Sequence, residues 1–108
     1  MYLARFSYDV LPINRDRALG FILHEVEAAQ RKGLSARLLV PLTRGDSGAA
    51  LQFEVELTSL DDLEQLRHRA GPEDDTRELM RAFSEILLRP PAVEILRVQG
   101  AEERRPPA

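Results

Sequence analysis

Residues 51–57 have the sequence LQFEVEL, in which apolar and polar side chains alternate without interruption. A period of two places the apolar side chains on one face of a β-strand and Gln52, Glu54 and Glu56 on the other. The stretch therefore predicts a half-buried strand whose polar face carries two carboxylates. The rest of the fold can be assembled around it.

Two further strands are predicted before this one. Residues 36–43 form an apolar run, and Gly45-Asp46-Ser47-Gly48 between the runs has the composition of a turn. Two strands joined by a short loop containing glycine make a hairpin. Residues 2–10 alternate with aromatic side chains on one face, which predicts another half-buried strand that ends at Pro12.

Helices are predicted before and after the hairpin. Between Asn14, a candidate N-cap, and Gly33, a C-terminal stop signal, apolar residues recur at helical spacing. This stripe consists of Ala18, Leu19, Ile22, Val26 and Ala29. After the hairpin, Ser59 with Asp62 predicts the start of a second helix. Gly71-Pro72 breaks that helix, and another begins near Asp75.

A last short strand, residues 93–98, follows Pro90-Pro91. The resulting order is the βαββαβ, or ferredoxin-like, α+β arrangement. Right-handed crossovers then give an antiparallel four-stranded sheet ordered 4-1-3-2, with the helices on one face. We expect one domain over residues 1–98 and a flexible C-terminal tail over residues 99–108.

The sheet face opposite the helices is predicted to be polar and charged. In this strand order Arg5 lies between Glu54 or Glu56 on one side and Glu94 on the other, and Arg37 lies near the strand-three carboxylates. Such a face is either solvated, with ion pairs of little energetic value, or part of a polar cavity or dimer surface. Apolar residues predicted on the same face favour the second interpretation: Leu39, Pro41, Leu96 and Val98.

Composition restricts the class of protein further. The chain has 108 residues, a formal net charge of -3 and no cysteine. It therefore has no disulfide or thiolate metal site, and its charge gives no reason to expect nucleic acid as a partner. The first ten residues do not resemble a signal peptide, and no apolar run approaches the roughly 20 residues of a membrane span. We expect a small, bacterial-type cytoplasmic protein without a membrane partner.

The passage from strand three into the next helix, Phe53 to Leu63, is similar to a strand followed by "S-L-E-x-L". This pattern is common in the dimeric α/β-barrel superfamily, which includes the antibiotic-biosynthesis-monooxygenase-like, NIPSNAP-like and stress-responsive barrel families. The resemblance extends over residues 2–98. It implies a homodimer whose two sheets enclose a cavity. Members include cofactor-independent oxygenases, haem-degrading enzymes and isomerases.

No catalytic residue is carried over from that superfamily. Its monooxygenases often place tryptophan, with asparagine or histidine, around the cavity, whereas this chain has no tryptophan. His24, on the predicted first helix, is most simply a surface or boundary histidine, and a proton-transfer role is the alternative. His68 is predicted to be solvated at a helix end. The two histidines lie too far apart to suggest a metal site.

Three functional hypotheses follow from these residues. The first is a homodimer that binds a small organic ligand, without cofactor, near Arg5, Arg37, Glu54 and Glu56. The second is a cofactor-independent monooxygenase or isomerase of the same fold, with His24 or a cavity carboxylate as base. The third is a structural or regulatory partner protein. The residues alone do not decide between enzyme and binding protein.

Overall fold

The computed structural model describes residues 1–43, 50–67 and 74–100. The strands are β1 (Tyr2–Tyr8), β2 (Ala36–Leu39), β3 (Leu51–Leu57) and β4 (Ala92–Arg97). The helices are α1 (Arg15–Arg31), α2 (Leu60–Arg67) and α3 (Asp74–Ile86), and a 3-10 turn, Pro12–Asn14, precedes α1. This order confirms the predicted ferredoxin-like arrangement, with its second helical part in two pieces.

The four strands form one antiparallel sheet in the order β2-β3-β1-β4. This is the predicted order, and the two central strands are β3 and β1. Phe6 lies opposite Phe53 in the β1–β3 register, so these two apolar side chains lie on one face of the sheet and Arg5 and Glu54 lie on the other. The even-numbered residues of β1 and the odd-numbered residues of β3 face the helices.

The core lies between this face of the sheet and the helices. Ile22 of α1 is fully buried, and Phe53 of β3 is 3% exposed. The ring of Phe83 from α3 lies 4.9 Å from that of Tyr8 and 5.1 Å from that of Phe21. An aromatic cluster therefore ties α3 to both β1 and α1.

The two ends of α1 differ from each other in how well the sequence predicted them. Gly33 has a φ of 81°, and the Leu34 N–H donates to the Ala29 carbonyl at 3.1 Å, which confirms the glycine stop. The prediction that Asn14 caps the helix is wrong in one respect. Asn14 occupies the N-cap position, but its side chain makes no capping hydrogen bond. Its backbone is in the bridge conformation that follows the 3-10 turn, instead of the extended conformation of a capping residue.

Other predicted boundaries shift or lie outside the described residues. β2 ends at Leu39 instead of residue 43, and Leu42 beyond it is 96% exposed. The predicted turn at 45–48, the break at Gly71-Pro72, His68 and tail residues 101–108 lie outside the described residues. At the end of the predicted domain, the Val98 N–H still donates to the Met1 carbonyl.

Candidate functional site

One row of charged residues crosses the whole sheet on the side away from the helices, here called the open sheet face. Arg37 of β2 is the Cα partner of Glu54 of β3, which is the partner of Arg5 of β1, which is the partner of Glu94 of β4. We call these four residues the charged row. Its signs alternate from one edge of the sheet to the other, an order that places opposite charges side chain to side chain.

Glu54 is held by both arginines of the charged row. Its Oε1 accepts from Arg5 Nε at 3.1 Å and from Arg5 Nη2 at 2.7 Å. Its Oε2 accepts from Arg37 Nε at 2.6 Å and is ion-paired with Arg37 Nη2. The Glu54 side chain is only 1% exposed, whereas those of Arg5 and Arg37 are 32% and 60% exposed. The two guanidinium groups therefore cover the carboxylate. The planar fork of arginine suits this role better than the point charge of lysine.

Burial raises the pKa of Glu54, and the hydrogen bonds and charges of Arg5 and Arg37 lower it further than burial raises it. The resulting pKa lies below the ordinary value of 4.5. Glu54 is consequently an anion at neutral pH. A general base that is bound this tightly would have to give up its arginine hydrogen bonds, so Glu54 is suited to positioning the two guanidinium groups.

Around the charged row the open sheet face is a mixture of polar and apolar groups. Gln52 Nε2 donates to Ser7 Oγ at 3.0 Å in the neighbouring cross-strand row. The leucines of the face are half-buried: Leu3, Leu39 and Leu96. A face with this composition can contact both the polar and the apolar part of a small organic molecule.

Solved structures match this fold over nearly the whole chain. An antibiotic biosynthesis monooxygenase matches at 14% identity with a TM-score of 0.70, covering 93% of this chain and 100% of its own. A NIPSNAP family protein from Agrobacterium tumefaciens matches at 17% identity and a TM-score of 0.67, covering 95% of this chain and 90% of its own. Rv0793 from Mycobacterium tuberculosis matches at 21% identity and a TM-score of 0.63, covering 93% of this chain and 95% of its own.

The chain has the ferredoxin-like fold of the antibiotic biosynthesis monooxygenase and NIPSNAP proteins. This confirms, at the level of fold, the resemblance seen in the sequence. No protein-family model and no curated protein matches the chain. Because identities this low establish architecture alone, the function of the chain has to be argued from its own residues.

On this ferredoxin-like fold, the structure brings together three of the predicted site residues: Arg5, Arg37 and Glu54. Glu56 lies on the open sheet face one row away, half-buried, and forms no ion pair with any residue that the structure describes. His24 belongs to α1, which packs on the opposite side of the sheet, so it does not join the others. The sequence interpretation overlooked Leu3, although its odd position in β1 places it with Arg5.

Neither a metal site nor a membrane-spanning helix is found in the part of the chain that the structure describes. Residues 1–43, 50–67 and 74–100 contain no group of three histidine, aspartate or glutamate side chains that could hold a metal ion. Within the same residues, no helix has the length and apolar character needed to cross a membrane.

The lowered pKa of Glu54 predicts how stability depends on pH. Because the pKa is lower in the folded chain than in the unfolded chain, ionised Glu54 contributes stability at pH values above about 4.5. This contribution is lost as the pH falls through the folded-state pKa. The Glu54→Gln variant has no carboxylate at this position, so its stability lacks this pH-dependent contribution. We expect the difference in unfolding free energy between wild type and Glu54→Gln to be constant from pH 7 to 6 and to shrink below pH 4.5, measured by urea denaturation. A difference that stays the same down to pH 2 would contradict the assignment.

Proposed function

We propose that the chain forms a homodimer in which two open sheet faces enclose a cavity, and that this cavity binds a small organic ligand. Arg5, Arg37, Glu54 and Glu56 would contact the ligand. The observation that carries the proposal is the nearly complete burial of Glu54 on a face that none of the described helices covers. Fixing three side chains around one carboxylate costs conformational entropy. Solvent-exposed ion pairs contribute little free energy to offset that cost, so the arrangement suits a covered face better than an exposed one.

Each of the two arginines has N–H groups beyond those that contact Glu54. A guanidinium group carries five N–H groups, and the contacts to Glu54 use Nε and Nη2 of Arg5 and Nε and Nη2 of Arg37. The remaining donors suit a carbonyl, phenolic or carboxylate oxygen on a ligand. The half-buried leucines beside them suit an apolar ligand body.

Two features support a second copy of the chain as the partner. The outer edge of β4 has no neighbouring strand among the described residues, and five of the six residues of β4 are exposed. An exposed edge of this length is normally covered in a native protein. Leu3, Leu39 and Leu96 would lose their remaining exposure if another sheet faced them. We propose that this dimer is cytoplasmic, since a chain without cysteine does not need an oxidising compartment to form disulfides.

The enzymatic alternative is a cofactor-independent monooxygenase or isomerase of the same fold. Solved structures with this fold are described as antibiotic biosynthesis monooxygenases. Such chemistry needs a base that faces the cavity, and Glu56 is a carboxylate of the open sheet face that no described ion pair holds. The position of His24 on the helical side of the sheet makes it the poorer candidate.

We expect light scattering at micromolar concentration to give twice the chain mass of 12.2 kDa. Native mass spectrometry of protein purified from its own cells should show a bound small molecule. The Arg37→Met variant should lose that molecule, whereas Arg89→Met, which removes an arginine paired with Asp9 away from the charged row, should retain it. A monomer of 12.2 kDa, or equal ligand retention by both variants, would refute the proposal.

A further inference from the structure

The charged row has opposite charges at its two ends. Arg37 lies on β2, one edge strand of the sheet, and its side chain is 60% exposed. Glu94 lies on β4, the other edge strand. It is exposed and forms no ion pair with the residues in the described ranges. The row thus presents an accessible cation at one edge and, at the other, a carboxylate for which the described residues provide no ion-pair partner.

If two open sheet faces oppose each other, as proposed above, the two-fold axis has two simple directions. An axis parallel to the strands places β2 of one copy beside β4 of the other. An axis perpendicular to the strands, in the plane between the sheets, places β2 beside β2 and β4 beside β4. Both directions leave the adjacent edges antiparallel. The parallel axis does so because β2 and β4 run in opposite directions within the sheet, and the perpendicular axis does so because it reverses every strand. Strand direction therefore does not distinguish them.

The charges do distinguish them. With the axis parallel to the strands, rotation keeps each residue at its own level along the strands, so Arg37 of one copy meets Glu94 of the other twice per dimer. A perpendicular axis that passes at the level of the charged row brings Arg37 towards Arg37 and Glu94 towards Glu94, which places like charges at both edges. Juxtaposed like charges disfavour an interface, whereas complementary charges set its register.

We propose that the two-fold axis of the dimer runs parallel to the strands, and that Arg37 of each copy pairs with Glu94 of the partner subunit. The charged row then continues with alternating sign around the closed barrel. Arg37 has two roles in this arrangement: its Nε and Nη2 hold Glu54 in its own chain, and its remaining N–H groups reach across the seam. This inference rests on the proposed homodimer and specifies how the two copies are oriented.

The test is a double-mutant cycle on the dimer dissociation constant, using Arg37→Gln, Glu94→Gln and the double variant, measured by sedimentation equilibrium at low salt. Glu94→Gln is the most informative single change because it removes no described ion pair within the chain. We expect it to raise the dissociation constant about tenfold, since each dimer loses two ion pairs. The dissociation constant of the double variant should be close to that of the single variant with the weaker dimer. The effect of Glu94→Gln should diminish at 1 M salt.

The outcomes separate the two proposals. A wild-type chain that stays monomeric refutes the homodimer and the pairing together. A wild-type dimer that Glu94→Gln leaves unchanged or tightens refutes the pairing alone, and tightening would indicate the perpendicular axis. Strictly additive effects of the two changes would also refute it. Arg89→Gln serves as the control for loss of one exposed arginine, and thermal unfolding of each variant verifies that it remains folded.

Discussion

The Phe53→Ala variant is expected to lose about 3–5 kcal/mol of unfolding free energy, the usual cost of truncating a core phenylalanine. Phe53 is 3% exposed in the middle of β3, a central strand of the sheet, and its ring lies 5.6 Å from that of Phe6 on β1. Removing the ring leaves a cavity that two rigid central strands cannot close. Urea denaturation measures the loss.

Val93→Ala is the matched control on the same face of the sheet. Val93 lies across from Phe6 on the other side of β1, but it belongs to edge strand β4 and is 49% exposed. Its truncation should cost well under about 1 kcal/mol, as is usual for exposed positions. Similar denaturant midpoints for the two variants would contradict the conclusion that Phe53 packs in the core between β3 and the helices.

Arg5→Met is expected to cost about 2 kcal/mol, between the value for an exposed ion pair and that for a fully buried one. The change removes both hydrogen bonds to Glu54 Oε1 and leaves this buried carboxylate with Arg37 alone. The remaining pair with Arg37 and the 32% exposure of Arg5 keep the cost below that of an isolated buried charge. The dimer and its ligand should weaken together with the fold, because the same face supports all three.

Arg89→Met controls for the loss of an arginine with a simple surface partner. Arg89 pairs with Asp9 at 3.0 Å and is 67% exposed, so its replacement should cost about 0–1 kcal/mol. Adding Glu54→Gln to Arg5→Met should recover part of the lost stability, since no uncompensated carboxylate then remains. If Arg5→Met instead unfolds at the wild-type midpoint and remains dimeric, the charged row is an ordinary wet surface.

The candidate site was largely predictable because strand alternation and strand order together determine which side chains are neighbours. Once LQFEVEL is a central strand paired with β1, Arg5 must lie beside Glu54 or Glu56, and Glu94 must lie on its other side. Alternation could not select between the two glutamates. That choice depends on the register of β1 against β3, and a register shift of two residues keeps every side chain on its face.

The sequence by itself determined the elements and the two faces of the sheet, because local periodicity and glycine or proline stops act over a few residues. The strand order then followed from the element order and the handedness of crossovers. Only the tertiary structure decided which carboxylate is buried, since the burial of Glu54 arises from arginines 49 and 17 residues away in the chain. It also decided that Asn14 makes no cap and that β2 ends at Leu39. Both depend on how neighbouring segments approach, which no local pattern records.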